Sequence, residues 1–472
     1  MDIAAASALL ATHGQEHLLG FYEALSPAER TALLEQIAEV DFAQLDRLIA
    51  TYVLAEPTVP RGEISPPAVV PIRTADGAMI MKKQRAFALG EQWIRQGKVA
   101  AFVVAGGQGT RLGYEGPKGC LPATPVRKKP LFQLFAEQLL AANRRYQTTV
   151  PLYVMTSPAN DVATRSFFRQ HGYFGLAETD VFFLVQGTMP AFDFDGKILL
   201  ESKGGLALSP NGHGGSLTAL RKSGALADMA SRGVELISYF QVDNPLVRVV
   251  DPLFIGLHAM DEAEMSAKVL PKRDPLEKLG NVCVVDGRTT VIEYSDMPET
   301  LARETTADGH LRFSAGSIAI HILSRPFVEA LTGGGGEMAL PWHRAAKKVS
   351  CVDARGEAVR PTEPNAVKLE MFVFDALPLA KKVVVLETLR SEEFSPIKNA
   401  SGEDSLASSL HDQVRRAATW LEQAGVRVPR DADGQVAAAI EIGPLLANSA
   451  AELAERGDVN PTIASGGTVY LG

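Results

Sequence analysis

The chain is poor in cysteine and in net positive charge, and each shortage excludes a class of protein. Cys120, Cys283 and Cys351 are its only cysteines; they stand far apart and form no C-x-x-C pair. This excludes a disulfide-stapled scaffold and a cysteine-based zinc site, and favours a reducing compartment. A formal net charge of −8 argues against a general nucleic-acid binder, which needs a basic face. We therefore expect a cytoplasmic protein that does not bind nucleic acid.

Long apolar runs are also missing. No run approaches the roughly 20 residues that a membrane-spanning helix needs. The first residues contain Asp2 and no basic segment, so a secretory signal is not expected. We therefore expect no membrane partner. The length of 472 residues exceeds what one ordinary hydrophobic core organises, which predicts two or three domains.

The two commonest phosphate-binding motifs are missing as well. Neither Gly-Lys pair, at Gly97 and Gly196, is followed by the Ser or Thr that a P-loop requires. Gly107, Gly109 and Gly113 are spaced G-x-G-x-x-x-G, which differs from the dinucleotide-binding G-x-G-x-x-G fingerprint.

What surrounds these glycines is a strand, a turn and two cations. Six consecutive apolar residues, Val99–Val104, are typical of a central parallel strand covered on both faces. The glycines that follow expose backbone amides, and Arg111 and Lys118 add two positive charges, which together indicate a polyphosphate-binding loop. On these residues alone, an ordinary glycine-rich turn with a stray arginine remains an alternative.

Further strands alternate with helices, which indicates an α/β fold with a mostly parallel sheet and helices on both faces. The predicted strands are Val99–Val104, Val150–Met155, Val181–Val185 and Val234–Val242. Ligands of such sheets bind at the carboxyl ends of the strands. The polar or glycine-rich candidates at these ends are Gly106–Gly113, Ser157, Gln186 and Asp243.

The sheet is expected to lie in the middle of three domains. Residues 1–95 are predicted to comprise a helical N-terminal region and a proline-rich connector: residues 1 to about 55 are expected to be helical, with a capping box at Ser26–Glu29, and residues 56–71 to be extended. Residues 96–425 are predicted to form the central domain, and residues 426–472 a small C-terminal domain.

Three local features are predicted within the central domain. Phe372–Asp375 is expected to be a strand, and Thr156–Pro158 is expected to cap a helix. Leu331–Glu337 contains four consecutive glycines and is expected to be a mobile loop.

Two further candidate binding sites can also be interpreted as purely structural turns. Asn211–Ser216 is a second glycine-rich turn, which suits a floor for a flat base or an empty tight loop. Asp243 follows an apolar strand, where a carboxylate can hold Mg²⁺ beside phosphates or cap the turn made with Asn244.

The string Ala105–Gly113, followed by Pro117-Lys118-Gly119, resembles the signature of the UDP-sugar pyrophosphorylases. Within them, it is most similar to the UDP-N-acetylhexosamine pyrophosphorylase branch. The resemblance extends from roughly residue 15 to residue 445. The other matching strings follow in family order: Gln241–Asn244, Val291–Ser295, Asn365–Asp375 and Phe394–Ala400.

The resemblance implies a Rossmann-like, GT-A-like nucleotidyltransferase that makes a UDP-sugar and pyrophosphate from UTP and a sugar 1-phosphate. The implied catalytic residues, with Mg²⁺ or Mn²⁺ bound at Asp243, are Arg111, Lys118, Asp243 and Lys398. The implied nucleotide-binding residues are Ala105, Gly106, Gly107, Gln186, Gly212 and Lys368. The implied sugar-binding residues are His213, Glu293, Tyr294, Gly316 and Ser317. A monomer or weak homo-oligomer is expected.

Two departures from the branch leave the sugar open. His213 and Ser317 each stand where the branch has an asparagine near the sugar. N-acetylglucosamine 1-phosphate is the expected substrate, with glucose or galactose 1-phosphate as alternatives. A nucleotide-sugar sensor without turnover and a glycosyltransferase are alternatives of other classes; the second would use the D-x-D spacing of Asp193-Phe194-Asp195.

Overall fold

A computed structural model describes residues 1–55, 62–333 and 340–472. The chain forms two compact units, and each is built from three stretches of sequence. The smaller unit comprises Met1–Arg61, Gln186–Thr218 and Ala339–Asp375; the larger comprises Gly62–Val185, Ala219–Met338 and Ala376–Gly472. The division into segments 1–95, 96–425 and 426–472 stays a prediction.

Helices of the described residues begin and end as follows. The α-helices are α1 (Ile3–Thr12), α2 (Pro27–Glu39), α3 (Phe42–Leu48), α4 (Gly77–Arg95), α5 (Leu131–Tyr146), α6 (Asp161–Gln170), α7 (Gly215–Lys222), α8 (Ala225–Ser231), α9 (Pro252–Met260), α10 (Glu299–Ala302), α11 (Arg325–Thr332), α12 (Arg390–Glu393), α13 (Leu406–Gln423) and α14 (Ala450–Arg456). Shorter 3₁₀ turns include Thr110–Leu112, Lys118–Cys120 and Val373–Leu379. In the part of the chain that the structure describes, no helix is long and apolar enough to cross a membrane.

Most of the strands are short. They are β1 (Ile64–Ser65), β2 (Val69–Val70), β3 (Val99–Val104), β4 (Leu152–Thr156), β5 (Val181–Val185), β6 (Thr188–Pro190), β7 (Leu200–Ser202), β8 (Gly205–Leu206), β9 (Leu208–Pro210), β10 (Leu236–Gln241), β11 (Met265–Pro271), β12 (Asn281–Val285), β13 (Arg288–Ile292), β14 (Ala315–Ser324), β15 (His343–Lys347), β16 (Cys351–Val352), β17 (Ala358–Val359), β18 (Ala366–Glu370), β19 (Val383–Glu387), β20 (Ala439–Ile442) and β21 (Thr468–Leu471).

The central sheet of the larger unit runs in the order β2-β19-β11-β14-β10-β3-β4-β5, with β12 and β13 attached at β14. Strands β10, β3, β4 and β5 are mutually parallel, and β14 joins the sheet antiparallel to β10 and β11. Every residue of β3 and β4 is buried, because helices cover both faces of a parallel sheet. The predicted α/β class with a mostly parallel sheet is confirmed.

This topology places three predicted candidates at one edge of the sheet. Since β3, β4 and β10 run in the same direction, their carboxyl ends meet there. The glycine loop follows β3 at that edge, Ser157 follows β4, and Asp243 stands two residues after the end of β10. The edge therefore has the composition that the sequence predicts for a ligand site.

Helices α1 to α3 belong to the smaller unit, which confirms the helical prediction for the first 55 residues. Helix α2 begins with the predicted capping box, in which Ser26 and Glu29 satisfy each other's backbone amides and Pro27 is the first helical residue. The apolar side chains of α1, α2 and α3 share a core with Phe192 and Leu369, which come from distant parts of the sequence.

The last residues of the chain pack within the larger unit. Strands β20 and β21 pair in parallel, and their core includes residues of α13 and α14. The carboxylate of Glu441 accepts hydrogen bonds from the amides of Val126 and Arg127 at 2.8 and 2.7 Å. Lys129 Nζ donates to the hydroxyl of Tyr470 at 2.9 Å, so this segment holds the turn that precedes α5.

Two local predictions are wrong. Phe372–Asp375 is not a strand, because the amide of Val373 donates to the ring of His213 and a 3₁₀ turn begins there. Thr156–Pro158 does not cap α6, which begins after Asn160. Of the predicted mobile loop, Leu331 and Thr332 belong to α11, and residues 334–337 lie outside the described residues.

Candidate active site

The glycine loop after β3 is held in place by neighbours that take up its carbonyl groups. Asn160 Nδ2 donates to the carbonyls of Ala105 (2.9 Å) and Gly107 (3.3 Å), and Ser157 Oγ donates to that of Gly106 (2.8 Å). The amide of Lys118 also donates to the Gly107 carbonyl, at 3.1 Å. Among the described residues, none accepts a hydrogen bond from the amides of Gly106 and Gly107. Hydrogen bonds therefore hold the loop through its carbonyl groups and leave two adjacent N–H groups available to an anion.

The glycine loop ends at the tightly packed 3₁₀ turn Lys118–Cys120. A Cβ atom on Gly119 would stand 2.1 Å from the ring of Phe132, so only glycine fits beside this core side chain. Burial raises the pKa of the neighbouring Cys120 thiol to about 12, which makes Cys120 an unreactive core residue rather than a nucleophile.

Lys118 and Asp243 lie side by side at the edge of the sheet. Lys118 Nζ is 3.8 Å from Asp243 Oδ2, and both side chains are half-buried. The same Nζ donates to the carbonyl of Ile397 (3.3 Å), and the amide of Ile397 donates to the carbonyl of Asp243 (2.8 Å). Lys118 and Ile397 are 279 residues apart in sequence, so the fold brings three of the matching strings together.

The other two predicted catalytic cations are exposed. Arg111 lies on the 3₁₀ turn Thr110–Leu112, and Lys398 extends over the ring of Phe394, with Nζ 5.8 Å from the ring centre. Within the described part of the chain, neither cation lies within ion-pair distance of Asp243. The backbone before Lys398 thus contacts Lys118 and Asp243, whereas Arg111 and Lys398 are themselves exposed.

The predicted sugar-binding residues of the larger unit gather around the start of β12. Asn281 pairs with Ile292 on one side and with Gly316 on the other. The amide of Ser317 donates to the carbonyl of Gly280 at 2.8 Å.

Glu293 lies close to Gly280. A Cβ atom on Gly280 would stand 3.1 Å from Glu293 Oε1. The next residue, Tyr294, is exposed. Glu293 and Ser317 are therefore both neighbours of Gly280, and their role at the sugar stays a prediction.

The smaller unit holds a second group of candidates. Gln186 is buried, and its Nε2 donates to the carbonyl of Gly212 at 2.7 Å. Gly212 has φ +81°, and a Cβ atom there would stand 2.3 Å from the carbonyl oxygen of Met371. Lys368 is half-buried on β18, opposite Ala345 of β15. The second glycine turn is therefore packed against the backbone that follows β18, and Gln186 braces it.

His213 is fixed by aromatic neighbours from the segment Phe372–Asp375, which the sequence predicts to be a strand. Its ring stacks on Phe372, with centres 5.2 Å apart, and meets Phe374 edge-on at 5.6 Å. The ring of His343 also contacts Phe372, with centres 4.4 Å apart, and its Nε2 is 2.7 Å from Asp375 Oδ2. In the sequence, only the alternate spacing of Phe372 and Phe374 could have indicated this aromatic cluster. The same spacing is equally typical of a strand in the core.

Asp243 is a single carboxylate rather than part of a metal-binding cluster. Among the described residues, no group of three or more His, Cys, Asp and Glu side chains is arranged to hold a metal ion. A bound divalent cation would therefore need oxygen ligands from a substrate. Mg²⁺ binds in this way, through one or two carboxylates together with phosphate oxygens and waters.

Comparison with known proteins identifies the family of this chain. The family model described as UTP–glucose-1-phosphate uridylyltransferase matches residues 58–424. The chain belongs to this family. A relative from Xenopus tropicalis, named UDP-N-acetylhexosamine pyrophosphorylase-like protein 1, is 40% identical over 86% of this chain and 81% of its own length. The UDP-N-acetylglucosamine pyrophosphorylase of Saccharomyces cerevisiae is 34% identical over 88% of this chain and 90% of its own.

A solved structure of this uridylyltransferase family agrees with the fold. The UDP-N-acetylglucosamine pyrophosphorylase of Trypanosoma brucei aligns with a TM-score of 0.81 at 27% identity, over 95% of this chain and 93% of that chain. The resemblance stated from the sequence is confirmed, and with it the assignment to the pyrophosphorylases.

Proposed function

We propose that this chain transfers a uridylyl group from UTP to a sugar 1-phosphate, giving a UDP-sugar and pyrophosphate in a reversible reaction. The observation that carries the proposal is the pair Lys118 and Asp243, beside a loop that offers the amides of Gly106 and Gly107. Membership of a uridylyltransferase family supports the same chemistry.

The proposed step is an in-line displacement at the α-phosphorus of UTP. An oxygen of the sugar phosphate forms a bond to this phosphorus as the bond to the β-phosphate oxygen breaks, and pyrophosphate leaves with its electron pair. The attacking oxygen is already ionised, so the step needs no general base. Positioning and charge neutralisation then supply the rate enhancement, as in other phosphoryl transfers.

The residues of the glycine loop would bind the leaving group. The amides of Gly106 and Gly107, together with Lys118 and Arg111, would hold the β- and γ-phosphates, while the amide of Ala105 anchors the start of the loop to β4. Lys398 and Lys368 would neutralise charge on the reacting phosphates.

Gln186 and Gly212 would hold the uracil base. Since Gln186 Nε2 is used on the carbonyl of Gly212, its Oε1 remains to accept a hydrogen bond from the uracil ring.

We propose Mg²⁺, or Mn²⁺, as the cofactor, with Asp243 as its protein ligand. A half-buried carboxylate at a strand end fits an ion that takes its other ligands from phosphates and waters. When bound, the ion would neutralise phosphate charge during the transfer.

N-acetylglucosamine 1-phosphate is the proposed sugar substrate, because relatives at 34% identity carry that activity in their names. Glu293, Tyr294, Gly316 and Ser317 would bind its hydroxyl and acetamido groups. His213 stands where the branch has an asparagine near the sugar, and its ring is fixed on Phe372 and Phe374. Because of this difference, glucose and galactose 1-phosphate are kept as alternative substrates.

The D-x-D spacing on which the glycosyltransferase alternative rests has a structural role in the hairpin. Asp193 Oδ1 accepts hydrogen bonds from the amides of Asp195 (3.0 Å) and Lys197 (2.8 Å). The D-x-D spacing thus belongs to a hairpin turn that Asp193 caps.

A pyrophosphate-release assay with UTP and a panel of sugar 1-phosphates tests the proposal. We expect release with N-acetylglucosamine 1-phosphate at a kcat/KM above that for glucose 1-phosphate. A chain that binds UTP but releases no pyrophosphate with any member would be a sensor instead.

Compartment and assembly stay proposals as well. Cys120, Cys283 and Cys351 are free thiols, which supports a reducing, cytoplasmic setting. We propose a monomer or weak homo-oligomer, which sedimentation at micromolar concentration would test.

A further inference from the structure

Asn244, the residue after Asp243, bonds the segment that leads to Lys398 through both polar atoms of its carboxamide, and its Oδ1 also accepts from the amide of Leu246 at 3.2 Å. Its Nδ2 donates to the carbonyl of Glu393 (2.7 Å), and its Oδ1 accepts from the amide of Ser395 (3.1 Å). The side chain is 4% exposed. One buried amide thus joins the end of β10 to a segment 151 residues later in the sequence.

The segment held by Asn244 is the one that touches the candidate catalytic residues. The amide of Ile397 donates to the carbonyl of Asp243, and its carbonyl accepts from Lys118 Nζ. A shift of this backbone would therefore change where Lys118 and Asp243 stand relative to each other.

A buried ion cluster braces the same segment from behind. Lys268 is fully buried on β11, with Nζ 2.6 Å from Asp251 Oδ2 and 2.5 Å from Glu393 Oε2. The second carboxylate oxygen of Glu393 accepts from Thr388 Oγ1 at 2.7 Å. Burial raises the pKa of Asp251, but the charges of Lys268 and Arg248 outweigh it and lower the pKa overall.

Such a cluster is better explained by placement than by stability. Removing charges from water costs free energy that their attraction seldom exceeds, so an apolar set of side chains would stabilise the fold as well. Directional bonds from fixed partners, in contrast, restrict Glu393 to one position. Phosphoryl transfer depends on such restriction, since an error of about 1 Å can lower the rate by about 10²-fold.

We propose that Asn244 is a positioning residue of the transferase. Through Glu393 and Ser395 it fixes the segment before Lys398 on the carbonyl of Asp243, and Lys268 braces that segment. Asn244 itself touches no substrate. The inference rests on the uridylyl transfer proposed above.

Asn244→Asp is the sharpest test, because it replaces the Nδ2 donor with an oxygen and keeps the acceptor. We expect kcat per folded molecule to fall by about 10²-fold, while KM for UTP changes less than threefold. Asn244→Ser removes both bonds to the segment, together with the local one to Leu246, without adding charge, and it carries the same expectation if the aspartate variant does not fold.

Gln15→Glu is the matched control. Gln15 is also 4% exposed, with Nε2 donating to the carbonyl of Gly196 and Oε1 accepting from the amide of Ile198, both at 3.0 Å. This control makes the same change from buried amide to carboxylate at a hairpin outside the candidate site. Its kcat per folded molecule should stay within twofold of wild type.

Hydrogen–deuterium exchange of a peptide over residues 394–399 separates this inference from the proposed function. We expect exchange to rise at least tenfold in Asn244→Ser and in Glu393→Gln, and to stay unchanged in Gln15→Glu. Unchanged exchange in Asn244→Ser, or a kcat within twofold of an active wild type, would overturn the positioning role. If wild type transfers no uridylyl group while exchange rises as expected, the proposed function fails and the placement of the segment stands.

Discussion

Replacing Lys118 by methionine is expected to slow the transfer greatly while leaving the fold nearly as stable. The change keeps an aliphatic side chain of similar size and removes the charge together with one hydrogen-bond donor. Lys118 Nζ makes one 3.3 Å hydrogen bond to a backbone carbonyl and stands 3.8 Å from Asp243, with both side chains partly open to solvent. A hydrogen bond of this kind makes a net contribution of about 1 kcal/mol to stability. An ion pair that is open to solvent contributes less.

The catalytic effect of Lys118→Met should be several times larger than its effect on stability. Two unit charges about 4 Å apart interact by about 4 kcal/mol at an effective dielectric constant near 20. Losing one preorganised group that stabilises transition-state charge typically costs about 10²–10³ in kcat, or about 3–4 kcal/mol. We expect that loss at saturating UTP and sugar phosphate, with the free energy of unfolding lowered by no more than about 1 kcal/mol.

Steady-state pyrophosphate release and urea unfolding measure the two effects separately. Lys83→Met is the control, because Lys83 Nζ also donates to backbone carbonyls, those of Pro71 and Ile72. The control should lose a similar amount of stability and no more than twofold in kcat. Near-normal turnover of Lys118→Met at saturation would refute the role given to Lys118.

Three further predictions concern the metal, the sugar and acid stability. Asp243→Asn should raise the Mg²⁺ concentration at half-maximal rate at least tenfold, since a neutral amide replaces the only protein carboxylate proposed as ligand; an unchanged Mg²⁺ titration would remove Asp243 as ligand. His213→Asn should change the ratio of kcat/KM for N-acetylglucosamine 1-phosphate and glucose 1-phosphate at least fivefold; an unchanged ratio would show that His213 does not read the sugar. Burial lowers the pKa of His258 to about 3 and of His321 to about 4, so in the native state both stay neutral while the unfolded chain takes up protons below pH 6.5. Stability from these two residues is complete above pH 6.5 and is lost as the pH falls towards 4 and 3; between pH 7.5 and pH 5 each should lower the free energy of unfolding by about 2 kcal/mol. Urea unfolding at the two pH values measures this loss, and His258→Gln should halve it; equal stability at both would contradict the burial of neutral imidazoles.

Local sequence patterns were sufficient for the elements that carry the site. The apolar run Val99–Val104 specifies a buried parallel strand, and the strand Val181–Val185 begins and ends where the pattern predicts. Both are periodic or continuous signals whose meaning does not depend on distant residues. The same holds for the capping box at Ser26–Glu29.

The features that sequence reasoning missed depend on contacts between distant residues. Phe372–Asp375 has the composition of a strand, but the ring of His213 takes the amide that a strand would have used. Asn244 reads as a turn residue, and only the fold shows that it binds Glu393 and Ser395. The grouping of the matching strings followed from the family resemblance, whereas these partners could not be derived from spacing.

The path of oxygen from the sugar phosphate tests the proposed transfer most directly. N-acetylglucosamine 1-phosphate labelled with ¹⁸O at its three non-bridging phosphate oxygens would be converted with UTP, and both products analysed by mass spectrometry. Attack by the sugar phosphate on the α-phosphorus predicts that all three labels are retained in the UDP-sugar and none in pyrophosphate. Label in pyrophosphate or in free phosphate would show that the bond forms elsewhere, and the roles proposed for Lys118 and Asp243 would fall with it.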